Sequence, residues 1–270
     1  MRGWPATLTE RELLGAPVGL RPVHISDART WREVRVRNAS WLRPWEPTNP
    51  ETPLHRSNLG PYISMVRTMR REARQGQALP WVVTYGGMFA GQLTVGSIVW
   101  GSSRSGQVGY WIDEQYAGQG IVPTALAMAV DHCFAVVGLH RLEASIRPEN
   151  TASRRVVEKL GFREEGVRMR QLHINGAWRD HICYAITAEE VPQGMLQRWR
   201  SLRAASRFGA LGEFCCATRR LGARNRTPPA PTLRQVSRCS TGVTGLRAYR
   251  PPEASRPAGP VVLPGAGGPR

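Results

Sequence analysis

A glycine-containing turn between an apolar strand and an apolar helix constrains the fold of this chain more than any other feature. Residues 109–113 are predicted to form a strand, and a helix is predicted to begin near Val122, after the turn Gln115-x-x-Gly118-x-Gly120. The start of a helix has unpaired backbone N–H groups and a partial positive charge. Glycines allow those groups to approach a phosphate closely. The turn is therefore predicted to bind a phosphate group, with a turn that needs glycine only for its backbone shape as the alternative.

Two common phosphate-binding motifs do not fit this turn. The P-loop requires a lysine directly after its last glycine, but the residue after Gly120 is Ile121. The Rossmann fingerprint requires a third small residue where this chain has Pro123. A proline is acceptable in the first turn of a helix, because its missing N–H would have no partner there. The pattern therefore indicates a phosphate site of another kind.

Hydrophobic periodicity and turn residues predict one mixed α/β domain. Helices are predicted over 28–38, 58–75, 122–137 and 151–160, and strands over 18–24, 79–85, 88–95, 107–113, 141–147, 163–174 and 177–187. The strand 141–147 should run parallel to 107–113, because a helix connects the two. Residues 1–15 are predicted to be irregular. The segment 41–47 is predicted to be a fixed loop, since its prolines restrict the backbone.

Charge is unevenly distributed along the chain. The formal net charge is +17, and residues 201–270 contain 12 arginines against two glutamates. This segment is rich in proline and glycine and has no sustained apolar period. It therefore cannot bury enough surface to offset its ordering entropy, and we predict a disordered basic tail after a domain of residues 16–200. The positive field favours acidic partners but is not the signature of a sequence-specific nucleic-acid-binding protein.

Cysteine spacing and hydropathy restrict the compartment. None of the five cysteines has the spacing of a zinc site, and Cys133 and Cys183 lie in apolar patterns typical of buried free thiols. The first 20 residues lack the continuous apolar core of a signal peptide. The most apolar run, 121–139, is interrupted by two polar residues and does not resemble a membrane span. We therefore expect a reduced, cytoplasmic protein without a metal ion.

Two motifs resemble one enzyme family. Gln115-x-x-Gly118-x-Gly120 resembles motif A of the GNAT family of acetyl-CoA-dependent N-acetyltransferases. The run Asn150-x-x-Ser153-Arg154 and the following Glu158-Lys159-Leu160-Gly161-Phe162 look like the helix that follows the next strand in these enzymes. Segments 42–47 and 175–181 are similar, more narrowly, to the RimJ/RimL branch, which acetylates N-terminal amines of ribosomal proteins. The resemblance covers about residues 16–200.

This resemblance implies both a fold and a reaction. The GNAT fold is an α/β structure in which a twisted, mostly antiparallel sheet is splayed between two parallel strands and flanked by about four helices. The implied reaction is direct attack of a protein N-terminal amine on the thioester of acetyl-CoA, with a ribosomal protein or the ribosome as partner. Two alternatives stay open: acetylation of a small amine or antibiotic, and a catalytically weak protein that binds acyl-CoA or ribosomes.

The resemblance also implies coenzyme-binding residues. The backbone amides of the turn would bind the pyrophosphate of coenzyme A, and they belong to Tyr116, Ala117, Gly118, Gln119, Gly120 and Ile121. The backbone of the preceding strand would hold the pantetheine at Trp111, Ile112 and Asp113. Asn150 would hydrogen-bond the pantetheine arm or, alternatively, only cap its helix. Arg154 would approach the phosphates, whereas Gln115 stands where many relatives have arginine.

Catalytic and acceptor-binding residues are implied in the same way. Ser153 would donate or relay a proton to the leaving thiolate, with helix capping as its alternative role. An α-amine has a pKa of about 7.7–8.0, so it needs no strong base near pH 7, and water or a weakly placed carboxylate suffices. The glutamate base of RimL-like enzymes has no clear counterpart in this chain, and Glu46 and Glu114 are the candidates for that carboxylate. Trp41 and Trp45 would wall the acceptor site, with Glu46 facing a cationic amine, or would serve only in packing.

Overall fold

An eight-stranded sheet organises the part of the chain that the computed structural model describes, residues 3–51 and 59–205. Its strands are β1 (Leu8–Glu10), β2 (Val18–Pro22), β3 (Leu79–Tyr85), β4 (Met88–Val99), β5 (Ser105–Ile112), β6 (Arg141–Ile146), β7 (Arg163–Ile174) and β8 (Ala177–Thr187). Their order across the sheet is β1-β2-β3-β4-β5-β6-β8-β7. The predicted hairpins at Gly86-Gly87 and Asn175-Gly176 join β3 to β4 and β7 to β8. The sequence therefore predicted seven of these strands close to their observed bounds.

The two central strands separate after a short stretch of pairing. β5 and β6 are parallel, as predicted, but they pair only where Ser105, Gly106 and Gln107 lie opposite Arg141, Leu142 and Glu143. All the other pairs of strands in the sheet are antiparallel. Because β5 continues to Ile112 and β6 to Ile146, their last residues diverge. This arrangement confirms the predicted splayed sheet.

Six α-helices are present in the described residues, where the resemblance implied about four. They are α1 (Ala28–Arg37), α2 (Ala39–Leu42), α3 (Leu59–Arg74), α4 (Ile121–Asp131), α5 (Thr151–Leu160) and α6 (195–205). A π-helical segment, His132–Val137, forms the last part of the predicted helix 122–137. The prediction of a loop over 41–47 was wrong in part, because α2 is followed by a 3₁₀ turn, Arg43–Trp45. Pro44 lies in the first residues of that turn, where a proline without an N–H is tolerated.

Side chains alternate along the strands and so build a core on each face of the sheet. On one face, α4, α5 and α6 cover a large core that contains Trp81, Leu93, Leu142 and Ile186. On the opposite face, a smaller core joins Val82 and Phe89 of the sheet to side chains of α1 and α3. We call these the α4 face and the α1 face.

Residues 1–15 were predicted to be irregular, but the structure has a strand there, β1. This strand is only three residues long, and it pairs with β2. Its Glu10 is buried, accepts a hydrogen bond from the Glu12 amide at 2.9 Å and forms an ion pair with Arg200 of α6. Three residues are too short to show an alternating pattern, so the strand depends on tertiary contacts that the sequence does not display.

The last described helix crosses the predicted domain boundary at residue 200. Trp199 of α6 is buried, and its Nε1 donates to Thr124 Oγ1 of α4 at 3.0 Å. The described residues belong to one unit, Met1–Gly222. Residues 206–270, most of the predicted disordered tail, lie outside the described residues.

The structure describes two of the cysteines and the side chains and helices relevant to metal binding and membrane insertion. Cys133 is buried, and burial raises the pKa of its thiol, whereas Cys183 is only half-buried and so departs from the prediction. Among the described residues, no group of three or more acidic, histidine or cysteine side chains could hold a metal ion. None of the helices described has the length and apolar character needed to cross a bilayer.

Candidate functional site

Two glycines give the turn before α4 its shape. Gly118 and Gly120 have φ angles of 76° and 85°, in the left-handed region that residues with a Cβ avoid. Gly120 is the N-cap residue of α4, so it directs the first amides of the helix toward the turn. The backbone therefore requires glycine at both positions, as the sequence indicated.

Only part of the predicted set of amides is free to bind a ligand. The amides of Tyr116 and Ala117 donate at 2.9 Å to the carbonyl oxygens of Asp113 and Glu114, because residues 114–116 form a 3₁₀ turn. These two amides are therefore used within the protein, and the structure does not support their predicted role in binding the pyrophosphate. In the described part of the chain, the amides of the next three residues have no acceptor; these are Gly118, Gln119 and Gly120.

The space beside these amides fits a diphosphate. A Cβ placed on Gly118 would meet no atom within 4 Å, so the turn is open on that side. Unpaired amides, the positive end of α4 and this open space together form the kind of cradle that binds phosphate oxygens. The residues present thus fit the phosphate-bearing part of a coenzyme.

Buried polar contacts join the start of this turn to the end of α1. Asn38 is buried; its Nδ2 donates to Asp113 Oδ1 at 2.8 Å and its Oδ1 accepts from the Glu114 amide at 2.9 Å. Asp113 also forms an ion pair with Arg37 and accepts from Gln115 Nε2 at 2.7 Å. Gln115 therefore binds Asp113, and Glu114 remains exposed at the surface.

The predicted pantetheine-binding strand end is partly used by the protein itself. The Asp113 amide donates to the Ala90 carbonyl at 2.8 Å, and the Ile112 carbonyl accepts from Trp41 Nε1 at 3.3 Å. The Asp113 amide is thus not available to a ligand. Trp111 is paired with Gln92, and its backbone faces β4, so it is also used within the sheet. The Ile112 amide lies on the other edge of β5, beyond its pairing with β6, and stays the predicted contact in this strand.

The first turn of α5 lies against β5 at the splayed strands. Asn150 is the N-cap of α5, and its Oδ1 accepts from the Ser153 amide at 3.1 Å, which shows the capping role. The Ser153 carbonyl accepts from the Tyr110 hydroxyl at 3.2 Å. Burial raises the pKa of Tyr110, so its phenol stays protonated. The Ser153 hydroxyl itself has no hydrogen-bond partner among the described residues, and the residue is half-buried.

Arg154 makes contacts other than the predicted one. Its Nε donates to the Tyr184 hydroxyl at 3.1 Å and its Nη1 to the Pro148 carbonyl at 3.3 Å. It also lies 3.7 Å from Glu158 on the same helix. The guanidinium is therefore held against β8 and α5, and these contacts do not support the predicted approach to the phosphates.

The segment 39–48 crosses the open end of the splayed strands. Trp41 contacts the end of β5, and Trp45 lies at the end of β6, where Arg147 Cζ is 5.5 Å from the centre of its ring. Arg147 also donates to the Pro44 carbonyl at 2.8 Å. Farther on, the Thr48 amide donates to the His173 carbonyl of β7 at 2.8 Å. Trp41 and Trp45 thus lie at the ends of β5 and β6, and their role as the wall of an acceptor site stays a prediction.

Glu46 does not present a free carboxylate. Both of its oxygens accept hydrogen bonds from the half-buried Arg35, whose guanidinium also stacks on Trp31 and Trp111 at 5.4 and 5.5 Å. The two tryptophan N–H groups donate to the buried Gln92 Oε1 at 3.0 and 3.1 Å. The predicted role of Glu46 as the partner of a cationic amine was therefore not supported, because Arg35 already neutralises it.

Sequence reasoning missed two residues near this site. His181 of β8 is buried, and its Nδ1 lies 3.0 Å from the Arg179 carbonyl, which can only accept; Nδ1 therefore carries the proton. Burial lowers the pKa of His181, and the nearby charge of Arg147 acts in the same direction, so the ring is neutral. The second residue is Arg203 of α6, which lies against Gly120. It stands beyond the predicted domain boundary, and no motif marked it.

Comparisons with known proteins give a consistent result. A family model described as Acetyltransferase (GNAT) domain matches residues 18–163. The solved structure of Mycobacterium smegmatis RimJ in complex with CoA-disulfide is 45% identical, with a TM-score of 0.70, and the match covers 76% of this chain and 97% of that one.

Two curated bacterial proteins add to this result. The [Ribosomal protein uS5]-alanine N-acetyltransferase of Escherichia coli is 28% identical over 201 residues, 72% of this chain and 100% of that protein. The Probable N-acetyltransferase YjcK of Bacillus subtilis is 38% identical over 96 residues, and there the match covers only 36% of this chain and 53% of that protein.

Proposed function

Since the chain belongs to the GNAT family of acetyltransferases, which use acetyl-CoA, we propose that it acetylates the N-terminal α-amine of a protein, specifically a ribosomal protein. The observation that carries this proposal is the 45% identity to RimJ across 97% of that chain. The named substrate of the E. coli relative, an alanine of ribosomal protein uS5, supports an N-terminal alanine as acceptor. A cytoplasmic location follows from such a substrate.

The coenzyme would bind across the turn and the splayed strands. The free amides of Gly118, Gln119 and Gly120 would hold its phosphates, as their geometry allows. The backbone of Ile112 and the side chain of Asn150 would lie along the pantetheine arm. When bound, the coenzyme supplies an acetyl group activated as a thioester.

The acceptor amine needs little activation. An α-amine with a pKa of about 7.7–8.0 is already partly neutral near pH 7, so a weak base or water suffices to take its proton. Glu114 is exposed and forms no ion pair with a described cation, so it is one candidate for this base. The neutral His181 is the other candidate. Ser153, whose backbone is fixed by Asn150 and Tyr110, would protonate the leaving thiolate.

The acceptor wall suits a peptide better than a polyamine. A polyamine site requires carboxylates that are free to pair with the amines. Here Glu46 is paired with Arg35, and Glu149 with Arg147, whose guanidinium lies on Trp45. Glu114 is without a described cation, but one carboxylate cannot pair with the several amines of a polyamine. The wall beside the splayed strands therefore presents aromatic rings and an arginine, which favours an N-terminal peptide over a small polycation.

A direct assay tests the proposal. Release of thiol from acetyl-CoA is measured with a peptide that begins with alanine and carries an internal lysine, and the product is located by mass spectrometry. The matched controls are the same peptide with a blocked N-terminus and the polyamine spermidine. We expect turnover with the free peptide and acetylation at its α-amine.

Two outcomes would contradict the proposal. Acetylation of the lysine in preference to the α-amine would exclude N-terminal specificity. Turnover with spermidine but not with the peptide would support acetylation of a small amine instead. Comparison of the N-termini of ribosomal proteins from cells with and without the protein would then identify the natural acceptor.

A further inference from the structure

We propose that Arg203, on α6, binds the diphosphate of the coenzyme and supplies the positive charge that the turn itself lacks. The residues from Glu114 to Ile121 include no lysine, arginine or histidine. A diphosphate brings at least two negative charges to this turn, and backbone amides offset them only through partial charges. A cation from another segment would therefore strengthen the binding. This inference rests on the coenzyme part of the proposed function and does not depend on the acceptor.

The guanidinium of Arg203 lies directly beside the N-cap of α4. A Cβ placed on Gly120 would be 2.7 Å from Arg203 Nη1 and 3.6 Å from its Cζ. The side chain thus occupies the space over the glycine whose amide is among the free ones. A phosphate bound to these amides would come within reach of the guanidinium.

The charge of Arg203 has no counter-ion in the described part of the chain. The guanidinium also contacts the ring of Trp199, whose centre lies 5.5 Å from Arg203 Cζ. Its Nε is buried without a hydrogen-bond partner. Arg200 on the same helix also has an unpartnered Nε, but its Nη2 pairs with Glu10. Arg179 Nε is likewise buried without a partner, so what distinguishes Arg203 is its missing counter-ion together with its place beside Gly120.

The electrostatics of this position favour an anion. The N-terminus of α4 carries a partial positive charge, so an unpaired guanidinium beside it is unfavourable on its own. An anion placed between the two is attracted by both. Arginine also suits this role because its planar fork can bind two phosphate oxygens at once.

Packing holds Arg203 at this place. Trp199 Nε1 donates to Thr124 Oγ1 at 3.0 Å, and that hydroxyl donates to the Gly120 carbonyl at 2.8 Å. One chain of hydrogen bonds therefore fixes α6 relative to the N-cap glycine. The Glu10–Arg200 ion pair adds a second attachment, from β1.

Calorimetric titration of the full chain, without any acceptor, tests the proposal. Coenzyme A and pantetheine, which lacks phosphates, are the probes. Arg203→Gln is expected to weaken binding of coenzyme A about 10- to 100-fold, the usual effect of losing hydrogen bonds to a charged group. Affinity for pantetheine should not change. Arg71→Gln, an equal loss of charge at an exposed position on α3, should affect neither probe.

Arg203→Lys separates charge from geometry and guards against loss of folding. It should bind coenzyme A more tightly than Arg203→Gln and less tightly than the original chain, and circular dichroism checks that each variant is folded. Equal affinity of the original chain and Arg203→Gln for coenzyme A would overturn the inference, as would an equal loss for pantetheine. Failure of the original chain to bind coenzyme A would instead overturn the coenzyme part of the proposed function.

Discussion

The backbone of Gly118 is in the left-handed conformation, and the space beside the residue is open. A single added methyl group tests the importance of both properties. Gly118→Ala should destabilise the fold by about 1–2 kcal/mol, the cost of a left-handed residue with a Cβ. The added Cβ would also enter the space beside the free amides, so affinity for coenzyme A should fall about tenfold or more. Thermal unfolding and calorimetry measure the two effects.

The hairpin glycine Gly87 provides a matched control for this change. Its φ is 84° and a Cβ there would meet no atom within 4 Å, but it lies between β3 and β4. Gly87→Ala should therefore carry a similar cost in stability and leave coenzyme binding unchanged. If both variants bind coenzyme A as the original chain does, the turn is not the phosphate site.

Ser153 offers a test of proton transfer to the leaving group. Its hydroxyl does not cap α5, because Asn150 does, so Ser153→Ala should leave stability unchanged. Loss of a proton donor should lower kcat about 100-fold with little change in KM for acetyl-CoA. Thr151→Ala, an exposed hydroxyl in the same turn, serves as the control. An unchanged kcat would remove Ser153 from the mechanism.

Single residues were predictable where backbone geometry dictates their type. Gly118, Gly120 and the cap Asn150 are visible in the sequence, since few other residues fit those conformations. Partners of charged side chains were not visible. Glu46 looked like a free carboxylate because nothing local shows that Arg35, on another helix, neutralises it.

Among the elements, α1 is attached to the glycine turn by Asp113, and pH tests this attachment. Burial raises the pKa of Asp113, but hydrogen bonds from Arg37, Asn38 and Gln115 outweigh burial and hold it below its usual value. A lowered folded-state pKa means that the carboxylate stabilises the fold above the unfolded pKa. That contribution should be lost as the pH falls below about 4.

Asp113→Asn should reveal this contribution in unfolding experiments across pH. The variant should be less stable at pH 7 and should lose less stability than the original chain between pH 5 and pH 3. Glu12→Gln, which alters an exposed carboxylate, should leave the profile unchanged. Parallel profiles of Asp113→Asn and the original chain would show that Asp113 does not couple the fold to pH.

Long elements with regular patterns were predicted well, and short ones were not. The hairpin β7–β8 and the helix α5 have the predicted bounds, because turn and cap residues mark their ends. β1 and α2 have three and four residues, too few for a pattern. Both are stabilised by contacts with distant segments, which local sequence does not encode.

For the whole molecule, α6 carries the folded domain past the predicted boundary at residue 200. A chain that ends after Ala205 should keep its thermal midpoint and its affinity for coenzyme A, since residues 206–270 are predicted to contribute no core. A chain that ends after Gly194 should lose much of its stability, because it lacks the buried Met195 and Trp199. Thermal unfolding and calorimetry distinguish the two. A large loss in the longer chain would contradict the predicted tail.

Two motifs were enough to predict the main elements of the site, but not the contacts between distant segments that hold these elements together. The motifs placed the glycine turn and α5 beside the splayed strands. Contacts such as Glu10–Arg200 and Asn38–Asp113 join segments that lie far apart in the chain. No spacing rule relates such residues, so only the folded structure shows that β1 and α6 both pack against α4.

The division of the sheet into two faces has a kinetic consequence. The glycine turn opens at the start of α4, whereas the tryptophan wall belongs to the segment that follows α1. Donor and acceptor would thus arrive through separate entrances and meet only in the gap between β5 and β6. Neither has to leave before the other enters, so the arrangement favours transfer within a ternary complex over a ping-pong cycle through an acetylated protein.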